Sequence, residues 1–229
     1  MDPVAALGLA LDPLGLSLRG GFHPTSEDGV PDLRDGRGAG TLYLVGNLGR
    51  DMWPVFSRSA ELQDGAPNAL DRWTRRILGQ VAQELDAVAL FPFGGPPWLP
   101  FQRWALRAGS VAASPLRILI HPGYGLWHAY RGALAFAGRL ALPEPDRRPR
   151  PCDSCAAKPC LSACPVGAFT LEGYDAARCR RHVASAAGAA CREGGCLARR
   201  ACPVGREHAY PDAQMAFHMR AFLAGPPGT

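Results

Sequence analysis

Cys152-Asp153-Ser154-Cys155-Ala156-Ala157-Lys158-Pro159-Cys160-Leu161-Ser162-Ala163-Cys164-Pro165 is the stretch on which the architecture of this chain turns. It reads C-x2-C-x4-C-x3-C-P. Four more cysteines follow, Cys179, Cys191, Cys196 and Cys202, and all eight cysteines of the 229-residue chain lie between positions 152 and 202. Cys164 and Cys202 each open a Cys-Pro-Val-Gly tetrapeptide. Thiols gathered at this density serve either as soft metal ligands or as disulfide partners.

The spacing favours iron. A cubane 4Fe–4S cluster takes four thiolates, and a short cysteine loop wraps only part of it. The first run is the bacterial ferredoxin pattern with two extra residues in its middle gap. In that pattern the fourth cysteine serves the other cluster of a pair. Cys152, Cys155 and Cys160 are therefore expected to hold one cluster closed by Cys202. Cys179, Cys191 and Cys196 hold the second, closed by Cys164. The second half is looser, and Cys179 stands well apart from Cys191. Disulfides need an oxidising compartment. The start, Met1-Asp2-Pro3-Val4-Ala5-Ala6, lacks a basic leader region, and Asp12-Pro13 interrupts the apolar stretch behind it. A cytoplasmic location is the expectation. Structural zinc sites show paired C-x2-C knuckles rather than Cys-x3-Cys-Pro.

Hydrophobic residues make up 47% of the chain, enough for a buried core. No apolar run reaches membrane-spanning length, so no membrane association is expected. The formal charge of +5 is carried almost wholly by arginine, Lys158 being the only lysine. Apart from Arg147-Arg148-Pro149-Arg150 and Arg199-Arg200 the basic residues are scattered, which argues against nucleic-acid binding. Arginines beside anionic clusters would offset their charge.

Residues 1–40, rich in Gly, Pro and Asp, read as an irregular lead-in. An α/β domain is expected over 41–143, opening with a strand at Thr41-Leu42-Tyr43-Leu44-Val45-Gly46. Asn68 or Asp71 caps a helix to Leu85 whose apolar face is Leu70, Trp73, Ile77, Leu78, Val81 and Leu85. Strands follow at 87–91, 116–120 and 132–137, with a short helix from Pro100 to Gly109. Residues 144–151 form a linker and 152–210 the cysteine domain. The segment 211–229 is a helix from Pro211, stopped by Gly225-Pro226-Pro227, and a tail.

Outside the cysteines there is no dinucleotide fingerprint, P-loop or nucleophile elbow, and His121, His128, His182, His208 and His218 lack metal-ligand spacing. His121-Pro122-Gly123-Tyr124-Gly125-Leu126-Trp127 follows a strand end, a usual place for a ligand loop. It reads either as such a loop, glycines permitting close approach, or as a turn with packed aromatics.

The stretch from Leu116 through Ile120-His121-Pro122-Gly123-Tyr124-Gly125-Leu126-Trp127 to Arg131-Gly132 resembles the I-H-P-x-[FY]-G-x-W-x-A-x-R-G segment of the cobalamin-processing CblC family. The cysteine region is similar to that of epoxyqueuosine reductase, including Asp175-Ala176-Ala177-Arg178-Cys179 and the closing Cys-Pro. The two families are related cobalamin proteins. The resemblance implies an α+β chain: a nitroreductase-like, CblC-like N-terminal α/β sandwich plus a C-terminal ferredoxin-like module with two 4Fe–4S clusters. It also implies a corrinoid, such as cobalamin, bound against Gly123, Tyr124, Gly125 and Trp127, with Phe93 and Gly94.

The chain departs from both families. Arg107-Ala108-Gly109-Ser110 stands where epoxyqueuosine reductase has A-G-L-G, and 90–104 contains no carboxylate to match its catalytic aspartate. The chain ends soon after Cys202, without its tRNA-binding repeats. An arginine occupies the Gly123 position in CblC. Reduction of a queuosine precursor and thiol-dependent dealkylation are therefore not expected. Two readings remain open. One is a corrinoid-reducing or corrinoid-processing oxidoreductase fed by clusters. The other is a plain ferredoxin-type carrier serving a redox partner protein. No catalytic acid, base or nucleophile is identifiable.

Overall fold

The computed structural model describes residues 3–170 and 173–225 and is a mixed α/β chain in two compact units. The first takes in the chain up to Val111 together with His128–Arg147. The second takes in Ala112–Trp127 and everything from Arg148 onward. The expected stop at Pro226-Pro227 and the tail to 229 lie outside the described residues.

The first unit is built on a four-stranded antiparallel sheet of order β1-β2-β6-β3. These strands are β1 (Ser17–Phe22), β2 (Thr41–Leu48), β3 (Val88–Leu90) and β6 (His128–Phe136). β2 is central and buried along nearly its whole length, which matches its unbroken apolar run. The helix Ala69–Glu84 packs on β3 and β6. It buries Leu70, Trp73, Ile77, Leu78 and Val81, a stripe of three-and-four spacing. Trp73, 2% exposed, meets Phe56 with ring centroids 5.5 Å apart. Asn68 does not cap this helix with its side chain. It sits at φ 56°, and Asp71 instead accepts from Arg131 at 2.8 Å.

The lead-in expectation is corrected. Pro3–Leu11 is a helix whose Leu7 and Leu11 are fully buried, and β1 forms the sheet edge against β2. Gly20 and Gly21 hide this strand in the sequence, because glycines weaken a strand signal. They sit where the register shifts. A Cβ on Gly21 would stand 2.6 Å from the Tyr43 ring, so the sheet needs the glycine there. The strand expected over 132–137 starts earlier, at His128, and reaches Phe136.

In the second unit the strand expected at 116–120 shrinks to β5 (Leu119–Ile120), paired with β4 (Ala112–Ala113). Arg117 adopts φ 60° and its N–H donates to Ser114 O, so the backbone turns there and cannot extend. Short helices at Ala176–Ala184 and Ala189–Gly194 pack with the terminal helix Asp212–Ala224. No helix among the described residues is long and apolar enough to cross a membrane.

Candidate metal centre

The cysteines are carried by turns. Pro151 and Pro159 start single helical turns bearing Cys152 and Cys160. Lys158, at φ 37°, reverses the chain between them. An apolar core of Ala112, Leu116, Ile120, Leu126, Ala198 and Cys202 sits beneath. Cys152, Cys160, Cys164 and Cys196 pack against it. The hydrophobic residues of 112–126 therefore serve as the floor of the cysteine unit.

Two groups of four thiols result. Cys152, Cys155, Cys160 and Cys202 line one cavity with Ile120 and Lys158. Burial pushes the Cys152 thiol up, and the Cys202, Cys160 and Cys155 thiols push it further. Burial, Cys202 and Cys155 do the same to Cys160. In the other group burial raises Cys179, against a hydrogen bond from Tyr174, with Cys164 and Cys191 adding to the rise. Burial also raises Cys196, against the Arg199 and Ala198 N–H groups, with Cys179 and Cys191 as its thiol neighbours. Thiols that raise one another resist ionising together. A cationic centre between them reverses that penalty. The donor set therefore fits a metal-containing group. Among the described residues no three His, Cys, Asp or Glu are set to hold a single ion.

One sulfur receives a backbone hydrogen bond, Ala168 N–H donating to Cys164 Sγ at 3.3 Å. Tyr174 lies beside Cys179. Burial first, then the neighbouring sulfurs, hold that phenol well above its ordinary range. The cysteine spacing carried no sign of Tyr174. Only its place just before Asp175, whose side chain accepts from Arg178 N at the helix start, could have drawn notice.

The residues of the Gly-Tyr-Gly-Leu-Trp segment have close neighbours within the second unit. Gly125 sits at φ +56°, and a Cβ there would stand 1.9 Å from Val204 O. Its close approach is thus to the chain's own backbone beside Cys202. Trp127, 2% exposed, packs edge-on to Tyr210, and Arg199 lies 4.6 Å over both rings. Arg199 also donates to Leu126 O at 3.1 Å through Nε, so it braces this segment. Tyr124 meets His208 at 4.2 Å. Gly123 lies against the tip of Arg148. In the first unit Phe93 stacks with Phe91 at 5.2 Å, Arg75 lies over both rings, and Gly94 is exposed.

No family model and no curated protein matches the sequence. Among solved structures, a B12-trafficking protein CblC from C. elegans superposes with TM-score 0.53 at 14% identity, over 96% of each chain. Epoxyqueuosine reductase from Bacillus subtilis superposes with TM-score 0.51 at 15% identity, over 91% of this chain and 66% of that one. The chain is similar in fold to both. At these identities the likeness speaks for the fold alone. The ferredoxin-like character of the second unit is not part of it.

Proposed function

We propose that this chain is an iron–sulfur electron-transfer protein that carries two 4Fe–4S clusters and delivers single electrons to a corrinoid. What supports the reading is the cavity that Cys152, Cys155, Cys160 and Cys202 line together, with Cys164, Cys179, Cys191 and Cys196 as one another's thiol neighbours. Four thiols round one cavity, in a run that ends in Cys-Pro, suit a cubane better than one Zn²⁺ ion held by paired C-x2-C knuckles. When bound, such clusters take up and release one electron at a time. The protein's part is to hold them with thiolates, to seat them on an apolar floor and to aim the Ala168 N–H at the Cys164 sulfur. A redox partner protein would supply the electrons, and a bound corrinoid would be the one-electron acceptor. The corrinoid half rests on the 116–132 resemblance and on the fold shared with a B12-trafficking protein.

A specific observation favours the plain carrier as the second reading. Gly125 and Trp127, the residues expected to face a flat ligand, are engaged by Val204 and Tyr210 of their own unit. Anaerobic reconstitution followed by iron analysis tests the first half: about eight iron atoms per chain are expected for two cubanes. Colourless protein with stoichiometric zinc refutes it. Titration with cob(II)alamin tests the second half. A base-off spectral shift supports corrinoid reduction or processing, and no shift at micromolar protein leaves the carrier.

A further inference from the structure

Lys158 is the only lysine among the 25 basic residues of the chain. It stands between Cys155 and Cys160, at a position its own backbone does not favour. Its φ of 37° lies in the left-handed region, where glycine is at ease and a side chain carries a cost. Local conformation therefore does not account for a lysine here. The cavity beside it does. Cys152, Cys155, Cys160 and Cys202 line that cavity with Lys158, four prolines, Ile120 and Val204. Among the described residues Lys158 is thus the one charged side chain in the lining. It is half-buried. Its Nζ donates to Cys155 O at 3.2 Å, which folds the side chain back and holds the ammonium against the backbone of a cavity cysteine. An ammonium is a compact point charge, unlike the broad planar guanidinium that serves everywhere else in this chain.

A cubane held by four thiolates is anionic and gains one more negative charge on reduction. A fixed cation beside it favours the reduced form, and local charge is one of the levers that set iron–sulfur potentials. We infer that Lys158 raises the reduction potential of the cluster seated in the Cys152–Cys155–Cys160–Cys202 cavity. This rests on the cluster reading proposed above. The reduction concerned adds one electron to the oxidised cluster, with dithionite as donor, and no bond forms or breaks.

Three variants separate charge from shape. Lys158→Gly removes the charge and suits the backbone. Lys158→Met removes the charge and keeps an unbranched apolar stem. Lys158→Arg keeps the charge. An anaerobic redox titration of the reconstituted full chain, followed by electron paramagnetic resonance, reads both clusters, with iron content measured alongside. An opposite charge close by moves such an equilibrium by roughly tenfold where the groups are half-buried. For one electron a tenfold change is about 59 mV. The expected result is a fall of this size in one cluster only, in both Lys158→Gly and Lys158→Met, with iron content unchanged. Lys158→Arg should keep most of the wild-type potential. Unchanged potentials in Lys158→Gly overturn the inference, whatever the methionine variant does. So does an equal fall in both clusters, or a fall in Lys158→Arg as large as in Lys158→Met, since charge would then not be the cause. Loss of iron from Lys158→Gly overturns it too, because Lys158 would then hold the loop rather than tune a cluster. Wild-type protein that binds no iron overturns the cluster reading itself, and this inference with it.

Discussion

Replacing Gly125 with alanine separates packing from ligand approach. Gly125 lies in the left-handed region at φ +56°, where a side chain costs about 1–2 kcal/mol. The new Cβ would stand 1.9 Å from Val204 O and 2.7 Å from Val204 C. These are backbone atoms two residues beyond Cys202 and cannot swing aside. Overpacking of this kind costs about 1–3 kcal/mol. The sum is about 2–5 kcal/mol. At roughly 4–8 °C per kcal/mol for a domain near 100 residues, the second unit should melt at least about 8 °C lower. The damage should centre on the cavity lined by Cys152, Cys155, Cys160 and Cys202. The paired control is Gly123→Ala, whose Cβ would meet only the Arg148 guanidinium, at 2.8 Å. The far end of a flexible side chain can move, so the cost should stay within about 0.5 kcal/mol. The assay is an anaerobic melt followed by far-ultraviolet circular dichroism, with visible absorbance recorded in parallel. A Gly125→Ala protein that melts with the wild type but no longer shifts the cob(II)alamin spectrum would refute the packing argument and restore Gly125 to a corrinoid wall.

Two further outcomes are expected. On the proposed two-cluster reading, Cys202→Ser and Cys164→Ser should each halve the iron content and leave different clusters, told apart by electron paramagnetic resonance; loss of the same cluster in both variants refutes the exchange of ligands. Glu61, 8% exposed, accepts from Arg76 Nε at 2.6 Å and Nη2 at 3.1 Å. Those bonds outweigh desolvation and hold its carboxyl below the ordinary 4.5. A depressed folded-state pKa contributes stability that is fully present above 4.5 and is lost as pH falls through the folded value. Chemical denaturation of Glu61→Gln against pH should therefore show a loss of about 1 kcal/mol near neutrality that narrows below the carboxylate range; a gap constant down to pH 3 contradicts the assignment.

The resemblance over 116–132 was legible because it is a contiguous string, yet its role was not. Gly125 serves Val204, and nothing local in Gly-Tyr-Gly announces a partner some eighty positions away. The same holds for β1, where Gly20 and Gly21 erase the strand pattern locally and the sheet edge restores it through pairing with β2.

What the sequence determined by itself was the spacing of the eight thiols and the apolar stripe of the Ala69–Glu84 helix. Thiol spacing and helical period are properties of short stretches and survive without a fold. The tertiary structure alone decided that 112–127 belongs to the cysteine unit and that Trp127 is core. Those are long-range contacts. They are set by which apolar surfaces can be buried together, and the order of residues along the chain does not encode that in any single segment.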